Sequence, residues 1–260
     1  MQQKDVLKKV KWQDLKKLSL IEMLVENNLT IPWFLTSLGL AYYGYYLFAL
    51  PFSAFFFLTA LRQVHNGFHN SLGTNRFLTW LTLYTNSILM MASIHAIKFN
   101  HLRHHKYCLS EEDQEGRSAH MTWYEAILYG PIHFFKVHIL TWQLGNRHYR
   151  KNLIIEIVSI VSFTSIVFYF RIDWLVYHIL VMLFAECLMA FFAVWSVHHG
   201  TLETPDFART QRTAWKNRLT FSMFYHLEHH LFPAVPTIKL PELARRLDAA
   251  LPNIDKKPTF

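Results

Sequence analysis

The chain has 260 residues, a length that allows one domain or two small ones. Apolar residues make up 52% of it, Lys and Arg outnumber Asp and Glu by 26 to 18, and the formal net charge is +8. The charges concentrate in residues 1–26, 98–120 and 209–260, which is the distribution that a bilayer imposes, because a charge in hydrocarbon costs several kcal/mol. Positive charge alone would allow nucleic-acid binding, but no basic patch is interleaved with aromatic residues, so we expect no nucleic-acid partner.

Residues 1–30 form a basic segment ahead of the first apolar stretch. Within it lies KDVLKKVKWQDLKKLSLIEML (residues 4–24), in which lysines surround an apolar helical face. The residues near that face are Leu7, Val10, Leu18 and Ile21. The pattern predicts either an amphipathic helix in the membrane interface or a helix packed on the domain, and it does not separate the two.

Several apolar stretches are candidates for membrane crossings. The first is IPWFLTSLGLAYYGYYLFAL (31–50), which carries no charge and is long enough to span. Pro51 is expected to end it, and FSAFFFLTAL (52–61) is expected to return as a second helix. Near the other end of the chain, the stretches 152–170 and 174–197 predict a hairpin with a very short connection.

A further apolar stretch, FLTWLTLYTNSILMMASIHAI (77–97), is predicted not to cross. If the three histidine clusters of the chain (65–69, 101–105 and 226–230) build one site, they must all emerge on one face. The lysine-rich N-terminus and the basic segments 98–151 and 209–260 mark that face as cytoplasmic. The crossings on either side return the chain to that face, so 77–97 must lie in the interface or re-enter. We therefore expect an all-α integral membrane protein with four transmembrane helices, in-plane or interfacial helices and a cytoplasmic histidine-rich cap.

The three clusters are HNGFH (65–69), HLRHH (101–105) and HLEHH (226–230). Residues three and four apart share a helix face, so each HxxHH aims three imidazoles in one direction and HNGFH aims two. Such a combination arises by chance in about one comparable chain in a thousand or fewer. Eight clustered imidazoles exceed the four donors of a tetrahedral zinc, HNGFH lacks the glutamate of a zinc-protease HExxH motif, and no thiolate joins the clusters. Two adjacent irons fit the number, because nitrogen-rich sites with open positions can activate dioxygen.

The order of these clusters among apolar stretches resembles the three histidine boxes of the membrane fatty acid desaturase superfamily, which also includes lipid hydroxylases and carotenoid ketolases. NHLRHHKY and the acidic loop after it are similar to the second box, and YHLEHHLFPAVPTIKLPELARRL (225–247) is similar to the third. The resemblance covers residues 31–251, which we take as the membrane domain between the 1–30 segment and a 252–260 tail. It implies two non-haem irons, with O2 as co-substrate, and eight ligands: His65, His69, His101, His104, His105, His226, His229 and His230.

Members of this superfamily often recruit one more histidine from the cytoplasmic end of the last span. SVHHG (196–200) offers His198 and His199, and the spacing does not choose between them. An interfacial pair that caps the span stays open as the alternative. Some acyl-chain desaturases have an Asn one turn before that histidine to help hold the metal, but Val194 and Trp195 stand there in this chain.

Acidic residues near the clusters have two interpretations each. Glu186 lies inside an apolar stretch and is expected to satisfy a partner in the helix bundle or to line the substrate channel. Glu228, and Asp113 or Glu115 after the second cluster, could orient ligating imidazoles, although the last two are expected in a solvated loop. The isolated histidines, His133 among them, are expected to be interfacial, core or surface residues.

The resemblance implies an O2-dependent membrane oxidoreductase that introduces a double bond into a fatty acyl chain. The alternative is hydroxylation or ketolation of a lipid, carotenoid or alkane-like substrate, because the ligand set does not separate these outcomes. The sequence has no HPGG-type haem motif, so we expect electrons from a separate ferredoxin, rubredoxin or b-type cytochrome. We expect a bacterial inner membrane or the endoplasmic reticulum, with the active site and the termini cytoplasmic. A non-redox metal-binding membrane protein is disfavoured, because its histidines would lie at the midplane of the spans.

Overall fold

The computed structural model describes residues 8–202 and 207–259, and within these ranges it is helical without a β-strand. The helices of its first part are α1 (Leu20–Asn28), α2 (Ile31–Tyr42), α3 (Tyr46–Phe68), α4 (Arg76–Met90), α5 (Ile94–Tyr107), α6 (Trp123–Leu144), α7 (Arg147–Tyr169) and α8 (Asp173–Cys187). They are followed by a π-helical segment (Ala190–Trp195, the π segment), a single turn (Ser196–His198), α9 (Ala214–Leu219), α10 (His226–Leu231) and α11 (Leu240–Ala250). Shorter 3-10 turns are Gln13–Lys16, Gly116–His120 and Thr237–Lys239.

The N-terminal segment is not the continuous helix over 4–24 that the sequence predicts. The first residues of that prediction lie outside the described ranges. Beyond them, Gln13–Lys16 form a 3-10 turn and α1 begins only at Leu20. The Ser19 hydroxyl accepts a hydrogen bond from the Glu22 amide, and the Glu22 carboxylate accepts one from the Ser19 amide. This reciprocal cap starts a new helix and divides the predicted one.

The two interpretations of the N-terminal segment apply to different parts of it. Val10 and Leu15 are buried against the C-terminal helices, so this part packs on the protein. On α1, the side chains of Leu20, Ile21 and Leu24 are more than half exposed. A row of exposed apolar side chains is what a membrane interface would cover.

The first helical hairpin breaks at Gly44, not at Pro51. Gly44 adopts the left-handed conformation, with φ of 80°, between the end of α2 and the start of α3. Glycine reaches this conformation without steric cost, whereas a proline removes only one hydrogen bond from the 23-residue α3. The 12 residues of α2 span about 18 Å, which is too short to cross a bilayer alone. The predicted boundaries of the first crossing, 31–50, are therefore wrong.

Among residues 8–202 and 207–259, two helices, α3 and α7, are long and apolar enough to cross a membrane. Up to four crossings result if each of two bent helix pairs counts as one span. The number agrees with the prediction, but these four include the pair that contains the 77–97 stretch, predicted not to cross, and leave out α2. One pair is α8 with the π segment and the turn after it, bent by 41°, which forms the predicted hairpin with α7. The other pair is α4 with α5, bent by 109°, so the predicted 77–97 stretch is not one straight crossing.

A buried carboxylate fixes the bend between α4 and α5. Glu156 on α7 is 1% exposed, and its Oε2 accepts hydrogen bonds from the Ser93 hydroxyl at 2.5 Å and the His95 amide at 3.2 Å. Its Oε1 lies 2.5 Å from His95 Nδ1. A carboxylate at the N-terminus of a helix is favoured by the helix dipole. Glu156 therefore sets the direction in which α5 presents the second histidine cluster.

The sequence predicts no helix at α6, which has 22 residues and lies between the charged segment 98–120 and the apolar stretch 152–170. Thr122 and Glu125 form a capping box at its start. Exposed apolar side chains recur along one of its faces at helical spacing: Leu128, Ile132, Phe135, Ile139 and Trp142. His133, Lys136 and His138 interrupt the apolar run, which is why composition alone does not mark it.

A buried polar network joins the first histidine cluster to the C-terminal part. Glu26 on α1 pairs with Arg62 on α3 and accepts a hydrogen bond from Asn66 Nδ2 at 2.9 Å. Asn66, inside the first cluster, accepts hydrogen bonds from the amide and the hydroxyl of Thr237 at 3.0 and 2.8 Å. The Ile238 amide donates to Glu26 at 3.0 Å. These bonds hold the segment before α11 against the end of α3, beside which α10 presents the third cluster.

Candidate metal centre

Four parts of the chain bring histidines together. α3 carries His65 and ends in its C-cap residue His69, four positions later. α5 and α10 carry the second and third clusters (101–105 and 226–230), and the turn after the π segment carries His198. Within each helix, spacings of three and four put the imidazoles on one face.

A first group of imidazoles converges on one point. One nitrogen from each of four histidines lies within 4.8 Å of the others: His65, His69, His101 and His229. His105 adjoins them, with its Nε2 3.1 Å from His101 Nε2 and 2.9 Å from His229 Nε2. We call these five histidines the first group.

A second group contains four buried histidines whose nitrogens lie within 4.8 Å of one another: His104, His198, His226 and His230. His104 Nε2 is 3.1 Å from His198 Nε2 and 3.3 Å from His230 Nε2. His226 Nε2 is 2.8 Å from His198 Nε2. The two groups adjoin, because the consecutive residues of each HH pair on α5 and α10 are divided between them.

Two imidazoles of the second group make hydrogen bonds through Nδ1, which leaves Nε2 for a metal ion. With the proton on Nδ1, His104 donates to Asp113 at 2.7 Å and His198 donates to the Phe207 carbonyl at 2.5 Å. The Nε2 atoms of the two rings then face each other at 3.1 Å, a distance that either a shared proton or a metal ion bound by both nitrogens would bridge. Nitrogens bound to one ion at about 2.1 Å are separated by about 2.9–3.4 Å, which matches the observed spacing. The donor set therefore fits metal ions.

Two acidic side chains of the loop after α5 differ in protonation. Burial raises the pKa of Asp113, but the hydrogen bond and the charge of His104, together with two backbone amides, outweigh burial and lower that pKa to about 2. Glu115 Oε1 lies 2.8 Å from His101 Nδ1, and burial raises the pKa of Glu115 to about 8. Asp113 is 3% exposed, so the expectation of a solvated loop is wrong for it. At neutral pH, Asp113 supplies a fixed negative charge beside the second group.

The three histidines of α10 are neutral at physiological pH. Burial, and then the neighbouring imidazoles, lower the pKa of each well below the ordinary value of 6.5. Neutral imidazole is the form that binds metal. Glu228 on the same helix accepts hydrogen bonds from the Thr210 hydroxyl at 2.6 Å and from Arg212 at 2.5 Å. It therefore positions α10 as a whole instead of orienting a single imidazole.

The structure brings His198 into the second group and holds His199 apart from both groups. The His199 ring stacks on Trp195 with centroids 3.8 Å apart and an interplanar angle of 4°. Its Nδ1 donates to the Trp195 carbonyl at 2.8 Å. The π segment just before this turn shifts the helical face by its wider winding, so ordinary helical spacing does not decide which of the two histidines faces inward.

Cys108 is a potential donor that sequence reasoning missed. Its Sγ lies 4.0 Å from His104 Nε2, and with His104 and Asp113 it forms a third cluster of potential ligands. A lone cysteine carries no motif. The signal that was available is its position four residues after His104, which is one helical turn.

Replacing Asp113 by Asn is expected to lower metal affinity about 10–100-fold, because the side chain keeps its shape but loses the charge that holds His104. Metal retention during titration with a chelator measures this effect. Glu111→Gln is the matched control, because Glu111 is an exposed acidic residue of the same loop. Equal chelator sensitivity of the two variants would show that Asp113 does not support the centre.

An apolar cavity of about 510 Å³ reaches the histidines. Its wall is formed by parts of α3, α5, α6, α8, the π segment and residues 219–226. His65 and His101 of the first group and His226 of the second belong to this wall. A bound molecule would therefore contact both groups, and the lining suits a largely apolar one.

Comparison with known families agrees with this arrangement. The family model described as fatty acid desaturase matches residues 40–257, which include all three histidine clusters. No curated protein and no solved structure matches the chain significantly. The chain therefore belongs to the fatty acid desaturase family, a family of integral membrane oxidoreductases that act on lipids.

Proposed function

We propose that the chain is a membrane-bound, O2-dependent oxidoreductase that introduces a double bond into a fatty acyl chain by means of two non-haem irons. The proposed ligands divide into a set of five and a set of four: His65, His69, His101, His105 and His229, and His104, His198, His226 and His230. His199 is left out of this set because its ring stacks on Trp195. The observation that carries the proposal is the meeting of both imidazole groups with one apolar cavity.

Two irons bound at these histidines supply the reduction of O2 and the removal of hydrogen from an unactivated C–H bond. The chain itself binds and orients the substrate and keeps water out. The apolar side chains of the cavity desolvate an acyl chain, and placement within about an ångström decides which C–H bond is presented. Asp113 holds the proton on His104 Nδ1 and so keeps the opposite nitrogen available for metal.

The proposal includes a separate electron donor, either a ferredoxin, a rubredoxin or a b-type cytochrome. Basic segments such as 98–151 and 209–260 would attract an acidic donor. They also favour a cytoplasmic position for the histidines and the termini, in a bacterial inner membrane or the endoplasmic reticulum. We place the catalytic domain at residues 31–251, with 1–30 as a basic amphipathic segment and 252–260 as a tail.

The second candidate function is hydroxylation or ketolation of a lipid, carotenoid or alkane-like substrate at the same centre. It is supported by two polar side chains in the cavity wall, Glu186 and His133, which an oxygenated molecule could meet. A non-redox metal-binding protein is supported less, because an apolar cavity that ends at the histidines serves a hydrocarbon and not an ion path.

Lipid profiling of cells that express the chain together with a donor system tests the proposal. We expect an acyl chain that has lost two hydrogens, and His104→Ala should give the profile of cells without the protein. A new hydroxyl or keto oxygen would replace desaturation by the second candidate function. An unchanged profile from a protein that carries only tightly bound zinc would overturn the oxidoreductase proposal.

A further inference from the structure

The cavity has two polar groups that the proposed metal centre does not use. Apart from the clustered histidines and Glu115, its polar side chains in the described chain are His133, Glu186 and Thr220. Glu186 is 3% exposed and His133 is 6% exposed. Glu186 Oε1 and His133 Nδ1 have no hydrogen-bond partner within the described residues.

Both groups lie on the same wall, where α6 and α8 touch. A Cβ atom added to Gly130 on α6 would meet the backbone oxygen of Cys187 on α8 at 1.5 Å, so the two backbones are in direct contact there. Glu186 directly precedes Cys187, and His133 follows Gly130 by one helical turn. The contact between the helices therefore brings the carboxyl and the imidazole to one region of an otherwise apolar surface.

Buried polar groups without partners are costly. On burial they lose their hydrogen bonds to water, and most buried polar side-chain atoms in native proteins have a partner in the protein or an ordered water. Glu115 also has an unpartnered oxygen at the cavity, but its other oxygen contacts His101, so Glu115 belongs to the metal centre. In the described part of the chain, no contact with a histidine of the metal centre accounts for Glu186 Oε1 or His133 Nδ1.

We propose that Glu186 and His133 form a polar subsite for a hydroxyl or carbonyl oxygen carried by the substrate within its hydrocarbon part. The inference rests on the proposed function, because it assumes that this cavity holds the lipid. A hydroxyl can donate to an oxygen of the Glu186 carboxyl group and accept from the imidazole, and a carbonyl can accept from either group where it carries a proton. An acyl chain without such an oxygen leaves both groups unpartnered, so the cavity selects an oxygenated substrate over a plain one.

Competition binding to the purified protein tests the subsite without any need for turnover. The probe is a fluorescent fatty acid, displaced by stearic acid or by monohydroxystearic acids that differ in the position of the hydroxyl. We expect one position to bind about tenfold more tightly than stearic acid, which corresponds to one hydrogen bond to a buried charged or polar group. Glu186→Leu and His133→Leu should each remove that preference, because leucine cannot bond the hydroxyl and no longer disfavours stearic acid.

Met189→Leu is the matched control, because Met189 lines the same cavity without a polar group. It should retain the preference for the hydroxylated chain, as should Glu186→Gln, which keeps the hydrogen-bonding capacity. Equal binding of all isomers to the unmodified protein, or an undiminished preference in both leucine variants, would overturn the subsite. Failure of the proposed function looks different: the binding preference would persist while lipid profiling shows no product.

Discussion

Replacing His104 by Ala is expected to remove at least one of the two irons and to lower product formation more than about 100-fold. His104 Nε2 lies within 3.3 Å of ring nitrogens of both His198 and His230, so alanine takes one of four donors from the second group. It also leaves the buried Asp113 carboxylate without its partner. Iron per chain in the purified protein and product in expressing cells measure the two effects.

His199→Ala is the control for this experiment, since it removes an imidazole next to a proposed ligand. His199 stacks on Trp195 and is partly exposed, so the variant should keep both irons and most of the activity. His229→Ala tests the first group in the same way as His104→Ala tests the second. Iron retained in His104→Ala and lost in His199→Ala would contradict the ligand assignment.

The sequence predicts that each cluster presents its imidazoles on one face, because the helix period puts residues three and four apart on the same side. The meeting of the three clusters was an expectation that came from the family resemblance. The sequence does not show whether His198 or His199 faces the other histidines. The π segment before them departs from the ordinary period, and the stacking of His199 on Trp195 depends on side-chain packing. The burial of Asp113 could not be predicted for a related reason, since it arises only when the loop folds back on α5.

The apolar stretches predicted helices, but not where each begins and ends. Pro51 lies within α3 because a long helix tolerates one missing hydrogen bond. The turn forms at Gly44 because glycine reaches the left-handed conformation without steric cost. α6 was not predicted because His133, Lys136 and His138 interrupt its apolar run in the sequence. The cavity could not be predicted at all, since its wall is assembled from helices that are distant in sequence.

Replacing Gly130 by Ala is expected to lower the melting temperature of the purified protein by about 10 °C, equivalent to a loss of about 3 kcal/mol. The added Cβ would lie 1.5 Å from the Cys187 backbone oxygen, whereas real Cβ contacts are essentially never under 3.0 Å. Since the obstacle is backbone, no side-chain rotation relieves it, and α6 must move away from α8. Small residues at such contacts are what allow membrane helices to approach closely. A thermal shift assay in detergent measures the effect.

Gly39→Ala on α2 is the matched control, because a Cβ at Gly39 would meet no atom within 4 Å. Alanine there should leave the melting temperature unchanged or raise it slightly, since it lowers the entropy of the unfolded chain. Separation of α6 from α8 would also move His133 relative to Glu186, so Gly130→Ala should weaken binding of the preferred hydroxylated chain more than binding of stearic acid. If the two alanine variants have the same melting temperature, α6 and α8 are not in backbone contact at Gly130. The wall that carries Glu186 and His133 would then be built differently from the one described.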